Sequence, residues 1–396
     1  MTVGVAAVLL GAAILLDGHA AAVSGASSGI WVEAEGPNRT LDDLGRLERM
    51  VLRAADARLT DLYLQVYRGG RTWYASSLAD DAPYRQAVTR QGYDPLQFVL
   101  NVAHSKRLRV HAWVNLFNLG RHRDGPLQAR LGSAAVTRDN RGRSLLEYDN
   151  FRPPGDEAKW VALDTPGYWL DPGDPHVQDA LAGLIQELVS RYPTLDGVHL
   201  DFVRYPYAVP TVPGSRYSNG LDFGYGERSV ARFAAETGLS AFVAKGDSAV
   251  AQRWDDWRRE QIGRLLRRVR QRVKELRQGL ILSAALLAWP DRAYQSAYQD
   301  WRRWLEQGLL DHGIVMNYNR DTHLARYISR QAVAFRGRSK LFVGLGAYVL
   351  LDQPDLLAQQ IRDAKEQGAD GVVLFSYDNM LKRDRFFDQL SAILRR

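Results

Sequence analysis

Cysteine is absent from this chain of 396 residues. That excludes disulfides, thiol nucleophiles and cysteine-ligated zinc, and it leaves the cellular compartment open. Neither sign of charge dominates: 52 Lys+Arg stand against 45 Asp+Glu, a net charge of +7 spread over the whole length. Such an excess says little about partners. No phosphate-binding loop, zinc pattern or dinucleotide fingerprint is present, so neither cofactor nor metal is expected. With 46% hydrophobic and 24% charged residues the composition is that of an ordinary globular protein and excludes a disordered, collagenous or coiled-coil chain. The length suffices for one large α/β domain.

Long apolar runs are also missing, apart from residues 3–16. That run is short for a membrane span but suits the core of a signal peptide, and Ala20-Ala21-Ala22 offers the small residues of a cleavage site. No Lys or Arg precedes it and no cysteine follows it for lipid attachment. The expected organisation is therefore a signal peptide or N-terminal anchor with a Ser/Gly linker over 1–29, and one folded domain over 30–396. Export to the periplasm or beyond is expected, with no stable membrane span other than that anchor. The stretch 25–29 fits G-x-S-x-G but has neither a strand before it nor a helix after it, so it is read as chance.

From Ile30 onward short apolar or alternating runs are followed by longer amphipathic ones. Strands are expected to begin near Ile30, Asp61, Leu108, Asp196, Leu280, His312, Lys340 and Asp370, spaced by 31, 47, 88, 84, 32, 28 and 30 residues. Helices are expected over 40–56, with Thr40 as N-cap, and over 94–105, 175–191, 254–277, 297–307, 322–335, 354–367 and 385–394. Four of the spacings match one βαβ unit of about 30 residues. Eight such units imply an α/β fold of the (β/α)8 TIM-barrel type. The two long intervals imply insertions after strands 3 and 4, over 120–160 and 206–227, at the rim where barrel active sites lie.

In several strands polar and aromatic residues alternate with apolar ones. Trp31, Glu33 and Glu35 share one face; so do Tyr63, Gln65 and Tyr67, then His111, Trp113 and Asn115, then His199 and Asp201. Apolar residues suit the helix side, which leaves this set in the lumen. Buried charge is costly unless paired, so the concentration implies a functional lumen mouth or a buried ion-pair network that orders the barrel.

The segment 169–206, WLDPGDPHVQDALAGLIQELVSRYPTLDGVHLDFVRYP, resembles the signature of the family-10-like glycosyl hydrolases. The likeness includes Trp169, Pro172, Gly173, Asp196, Gly197, His199, Asp201, Arg204, Tyr205 and Pro206. Ile30-Trp31-Val32, His111-Ala112-Trp113-Val114-Asn115, Met316-Asn317-Tyr318 and Phe375-Ser376-Tyr377 extend it over about residues 30 to 390. The resemblance implies a glycoside-hydrolase-like barrel that cleaves glycosidic bonds. Many members carry two acids in tandem at the end of the fourth strand; here Phe202 follows Asp201.

Glycoside cleavage uses two carboxyl groups. Asp201, at the end of an otherwise apolar strand with Arg204 and Tyr205 close behind, is the first candidate. Asp321, Glu35, Asp378 and Glu33 compete in that order to be the second, and the seventh strand offers no acid. His111 and His199 are spaced too far apart for the H-x-H of metal-dependent barrel hydrolases and read as donors to sugar hydroxyls or partners of Asp201. Trp31, Trp113, Trp289, Tyr67, Tyr205, Tyr318 and Tyr377 offer rings for sugar faces or for the core. Gln65, Asn115, Asn317 and Asn319 are plausible readers of hydroxyls. The Arg-rich helix at 254–277 reads as a solvated outer face, not as a nucleic-acid site. A carbohydrate is the expected partner. A non-catalytic glycan-binding barrel and a barrel lyase or deacetylase stay open beside the hydrolase.

Overall fold

The computed structural model describes residues 27–211, 220–242, 246–383 and 385–395. Eight parallel strands close into a barrel: β1 (Ser27–Val32), β2 (Asp61–Arg68), β3 (Arg109–Asn115), β4 (Gly197–Asp201), β5 (Ile281–Leu287), β6 (His312–Asn317), β7 (Lys340–Gly346) and β8 (Gly371–Phe375). Each pairs with its sequence neighbours, and β8 pairs with β1 to complete the ring. The expected (β/α)8 TIM barrel is what the chain forms. Among the described residues no helix is long and apolar enough to cross a membrane. The signal-peptide expectation falls on residues 1–26, outside the described residues.

Strand β1 starts before the expected Ile30. Ser27, Ser28 and Gly29 belong to it, so three residues assigned to the linker are barrel strand, all paired with β8 and Gly29 also with β2. At Gly29 the small size is a packing requirement: a Cβ there would stand 2.7 Å from the Tyr63 ring. Small residues chosen for close approach look, in sequence, like linker residues.

The helices follow their capping chemistry. Asp94 caps Pro95–Ser105, and Asp174 caps Pro175–Arg191. Thr40 is not a cap; it opens a 3₁₀ turn, and Asp43 caps the helix Leu44–Asp56 by accepting from the Arg46 amide. Outward-facing Ile, Leu and Val from the strands meet these helices in one continuous core. Inside the ring a second cluster joins Trp31, Tyr63, Trp113, Ile314, Phe342 and Val373.

Both expected insertions are present, and they are joined to each other. The first is wider than the expected 120–160: the strand pair Asn118–Gly120 with Tyr168–Trp169 brackets it, and Val161–Leu163, also past residue 160, pairs with Ala208–Pro210 of the second. Fully buried Asp171 ties them further. Its carboxyl accepts from Thr137 Oγ1 (3.0 Å), the Gly173 amide (2.9 Å), the Gly226 amide (2.9 Å) and Ser229 Oγ (2.7 Å). Burial pushes this carboxyl up to about 6, against the pull of those four donors. Asp171→Ala would leave four donors without their acceptor, two of them backbone amides. We expect a loss of about 2–4 kcal/mol in chemical denaturation, with the barrel's far-ultraviolet circular dichroism retained at low denaturant.

Candidate active site

Alternation along the strands decides which side chains reach the barrel mouth. Counting inward positions up β1 gives Trp31, then Glu33 and Glu35 beyond the strand end. The same count gives Gln65 on β2, Trp113 and Asn115 on β3, Asp201 on β4, Met316 and then Tyr318 on β6, and Phe375 on β8. All of these line one cleft of about 830 Å³ at the carboxyl ends of the strands, which Phe202 and Arg204 just after β4, and Arg121 and Asp164 from the first insertion, complete.

The floor is aromatic and held by a line of hydrogen bonds. Trp31 Nε1 donates to His199 Nε2 (3.1 Å), and His199 Nδ1 contacts Ser283 Oγ (2.9 Å). Because Nε2 accepts, the imidazole is neutral and carries its proton on Nδ1. Burial, helped by His111 and His312, holds its pKa well below the usual histidine range. Lower in the barrel Asp61 takes both Nε (2.8 Å) and Nη2 (2.7 Å) of Arg109, and His111 Nε2 lies 2.7 Å from its carboxylate. Burial opposes the Asp61 charge, but the bonds to His111 and Arg109 outweigh it and hold the carboxyl well below its ordinary range. His111, stacked on Tyr63 with ring centres 4.5 Å apart, belongs to this buried ion-pair network under the cleft.

Four carboxyl groups line the cleft, each in a different setting. Asp201 receives Trp113 Nε1 (3.1 Å) on one oxygen and the Phe202 amide (2.7 Å) on the other. Aiming that amide puts Phe202 at φ 51°, left-handed backbone that a non-glycine residue adopts at a cost of order 1 kcal/mol. Burial raises the Asp201 pKa; the Phe202 amide, the Arg204 charge and Trp113 oppose that rise only in part. Glu33 accepts from Ser376 Oγ (2.7 Å). Burial raises the Tyr318 hydroxyl well above its ordinary range, and the charges of Asp201, Tyr348 and Glu33 add to that rise. Glu35 is gripped by Arg71 (2.9 Å) and Arg68 (3.4 Å), with Arg39 at 4.0 Å. Asp164 pairs with Arg204 (3.1 Å), whose guanidinium is packed over Trp169, Phe202 and Tyr207.

The cleft therefore gathers Trp31, Glu33, Glu35, Gln65, Trp113, Asn115, Asp201, Arg204 and Tyr318 from the sequence candidates. Other candidates lie elsewhere for stated reasons. Asp321 is an exposed helix cap that accepts from the Leu324 amide. Asn317 faces outward, one residue out of phase with Met316, and donates to the Ala325 carbonyl (2.7 Å) and Ser329 (3.2 Å); Asn319 donates back to it (2.6 Å). Tyr205 packs edge-on against Tyr298, and Tyr377 meets Arg53 and Phe387 behind the strand. Trp289 stands exposed at the start of the helix Pro290–Gln295. Asp378 is buried under the turn after β1, where Asn38 donates to it, and burial with the nearby Glu33 charge pushes it up to about 6. Tyr67 left the lumen because the β2–β3 register shifts between Gln65 and Tyr67, turning the ring into the outer core.

Residues outside the candidate set also reach the cleft: Arg68, Arg121, His122, Asp164, Phe202, Tyr348 and Phe375. Phe375 was open to the same alternation count, two residues beyond the inward Val373. Asp164 and Arg121 sit in an irregular insertion, where no period marks a direction. Among the described residues no group of three His, Asp or Glu is disposed to hold a metal ion.

Comparison with known proteins agrees with this architecture. Residues 27–340 match the model of a family described as Glycosyl hydrolase-like 10. Glycosyl hydrolase DigH of Escherichia coli is 27% identical over 336 residues, 78% of this chain and 65% of that protein. Glycosyl hydrolase YngK of Bacillus subtilis is 23% identical, over 63% of this chain and 44% of its own length. The chain thus spans about two thirds or less of these relatives. Among solved structures the PgaB (BpsB) glycoside hydrolase domain of Bordetella bronchiseptica superposes with a TM-score of 0.64 at 14% identity, covering 92% of this chain and 98% of that one. A β-galactosidase from Bacillus circulans superposes at 0.60 and 11% identity, over 93% and 55%. At such identities the likeness is one of fold.

The helix-cap setting of Asp321 is directly testable. Asp321→Ala is expected to cost about 1 kcal/mol of stability and to leave ligand binding in the cleft unchanged, measured by thermal melting beside titration calorimetry.

Proposed function

From a chain that belongs to the glycosyl hydrolase-like 10 family, we propose that the cleft hydrolyses glycosidic bonds of a polysaccharide or oligosaccharide, with Asp201 as proton donor and Glu33 as the second carboxyl group. The observation that carries this reading is Asp201 itself: a carboxyl lining the cleft whose pKa burial raises. A carboxyl whose protonated form is favoured by burial can protonate the leaving glycosidic oxygen. Glu33 suits the partner role better than Glu35, because it faces a hydroxyl whereas Glu35 is committed to Arg71 and Arg68. Glu33 either attacks the anomeric carbon or takes a proton from the attacking water; the anomer formed first tells the two apart. Trp31, Trp113 and Tyr318 offer rings for sugar faces. Gln65 and Asn115, bonded to each other at 3.2 Å, offer amides for hydroxyls. The apolar run 3–16 supports placing this activity outside the cytoplasm.

One observation favours a second reading. Phe202 occupies the place of the family's second tandem acid, which suits a barrel that binds glycan without turnover. An oligosaccharide recovered intact after long incubation would select it, whereas an unsaturated product or released acetate would select a lyase or deacetylase.

Asp201→Asn should keep the parent melting temperature and lower kcat on a cleaved oligosaccharide by about 10³-fold or more; unchanged turnover would reject the assignment. The pH profile supplies an independent check. An acid works while protonated, so kcat should fall as pH rises through the elevated Asp201 pKa. Trp113 favours the charged form by donating to it, so Trp113→Phe should move that alkaline limb to higher pH. A limb that stays or moves down would contradict Asp201 as the donor.

A further inference from the structure

The turn after β8 connects Glu33 to the outer surface through three side chains. Fully buried Ser376 donates from Oγ to a Glu33 oxygen at 2.7 Å. Asn379 Nδ2 donates to that same Oγ at 2.9 Å. Asn379 Oδ1 accepts from Lys382 Nζ at 2.7 Å, and Lys382 is exposed. Valence gives this chain a direction. An ammonium has donors only, so Asn379 must turn its carbonyl to Lys382 and its amide nitrogen to Ser376. Ser376 Oγ, already accepting from Asn379, turns its one hydrogen to Glu33. The hydroxyl is diverted from a local task to do so. Ser376 stands at the N-cap of the helix Tyr377–Met380, where a serine ordinarily accepts from an amide of the first turn, yet its side chain makes no cap bond. Other ionisable groups also surround Glu33: Asp378 in the same turn, Tyr318 beyond β6, Asp201 on β4, and Glu35, which Arg71 and Arg68 hold. Neighbouring acids discourage a further negative charge. The chain from Lys382 supplies the opposite bias: a donor on the carboxylate, with a fixed positive charge at its far end.

We propose that Lys382, Asn379 and Ser376 are positioning residues that form a one-way relay, committing Glu33 to the accepting role, as nucleophile or base, and leaving proton donation to Asp201. The proposal rests on the hydrolase reading and deepens it, because it names what divides the labour between the two acids. A hydroxyl free to rotate could serve either form of a carboxyl group, donating to the ionised one or accepting from the protonated one. A hydroxyl held by Asn379 serves only the ionised one. The exposed ammonium thus sets, through two intervening side chains, which way the last hydrogen in the line points.

The test reads the protonation of Glu33 itself, on the full chain and without substrate. Protein isotope-labelled at the glutamate carboxyl carbons is titrated by NMR, and the Glu33 signal is assigned by its loss in Glu33→Gln. Ser376→Ala, a change of one hydroxyl, should raise the pH at which Glu33 titrates by about one unit. Asn379→Ala and Lys382→Met should raise it by a smaller step, since each frees the hydroxyl to turn away. Lys382→Arg, which also only donates, should keep the parent value. Lys382→Glu should act like Ser376→Ala, because an acceptor there draws the Asn379 amide round and takes the hydrogen from Glu33. In an Asn379→Ala background the Lys382 substitutions should have no further effect. Lys382 lies at the surface, so its variants report whether or not Ser376→Ala folds. A titration that stays or moves down in Ser376→Ala or in Lys382→Glu would overturn the relay. So would a Lys382→Glu shift that persists undiminished in Asn379→Ala, the mark of a field acting through space. Its failure and that of the hydrolase reading are separable. Asp201-dependent cleavage beside a titration indifferent to residues 376, 379 and 382 would leave the hydrolase without the relay. A titration that follows those residues in a protein that cleaves no glycan would leave the relay without the hydrolase.

Discussion

A neutral histidine in the middle of the barrel sets the terms for everything above it. His199 accepts from Trp31 and reaches Ser283, so the indole that floors the cleft is fixed by a group that cannot carry charge at ordinary pH. Placed among Tyr63, Trp113 and the Trp31 ring, a charged imidazole would lack both water and a counter-ion. The barrel confines its ionised groups to two levels instead. One is the Asp61–Arg109–His111 network at the bottom, where each charge has a partner; the other is the mouth. Between them lies an apolar and aromatic plug. Carboxyl groups directly above such a plug lose solvent on one side, and this gives Asp201 its elevated pKa.

The mouth is made of two materials. Strand ends supply the rigid part, and the first insertion supplies Asp164 and Arg121. Arg204 joins them: it follows β4 by three residues, stacks over Trp169 of one insertion and Tyr207 of the other, and holds Asp164. Packing an arginine among rings keeps its charge while spending its flat faces, which leaves its edge to orient a carboxylate. The rim is consequently fixed to the same strand that carries Asp201.

Most of the barrel was legible in the sequence because its signals are periodic. Strand starts from Asp61 onward fall within one residue of expectation, since each parallel strand is buried on both faces and bounded by a helix end. Cleft-lining residues are legible where the period persists: Trp31, Gln65, Trp113, Asn115 and Asp201 share an inward phase that counting by two recovers. The same count separates neighbours on β6: Asn317 and Tyr318 cannot both face the mouth, and only the tyrosine does. Asp321 shows a different limit. An aspartate just past a strand and just before a helix has the same sequence context whether it caps or catalyses. Arg121 and Asp164 carried no signal at all, because irregular loops have no phase to read.

The register shift in β2 has a consequence for how such a cleft can change. Tyr63 and Gln65 face the lumen, and the extra residue at Val66–Tyr67 sends the tyrosine outward and brings Arg68 to the mouth. In an unbroken strand the phenol would occupy that place and the guanidinium would lie against the helices. Deleting Val66 would remove the bulge yet leave the tyrosine outward and the guanidinium at the mouth, because the residue lost is the one that breaks the count. The group presented by this wall thus depends on the bulge and the strand's length together, and only a change in one without the other would replace the guanidinium by the phenol.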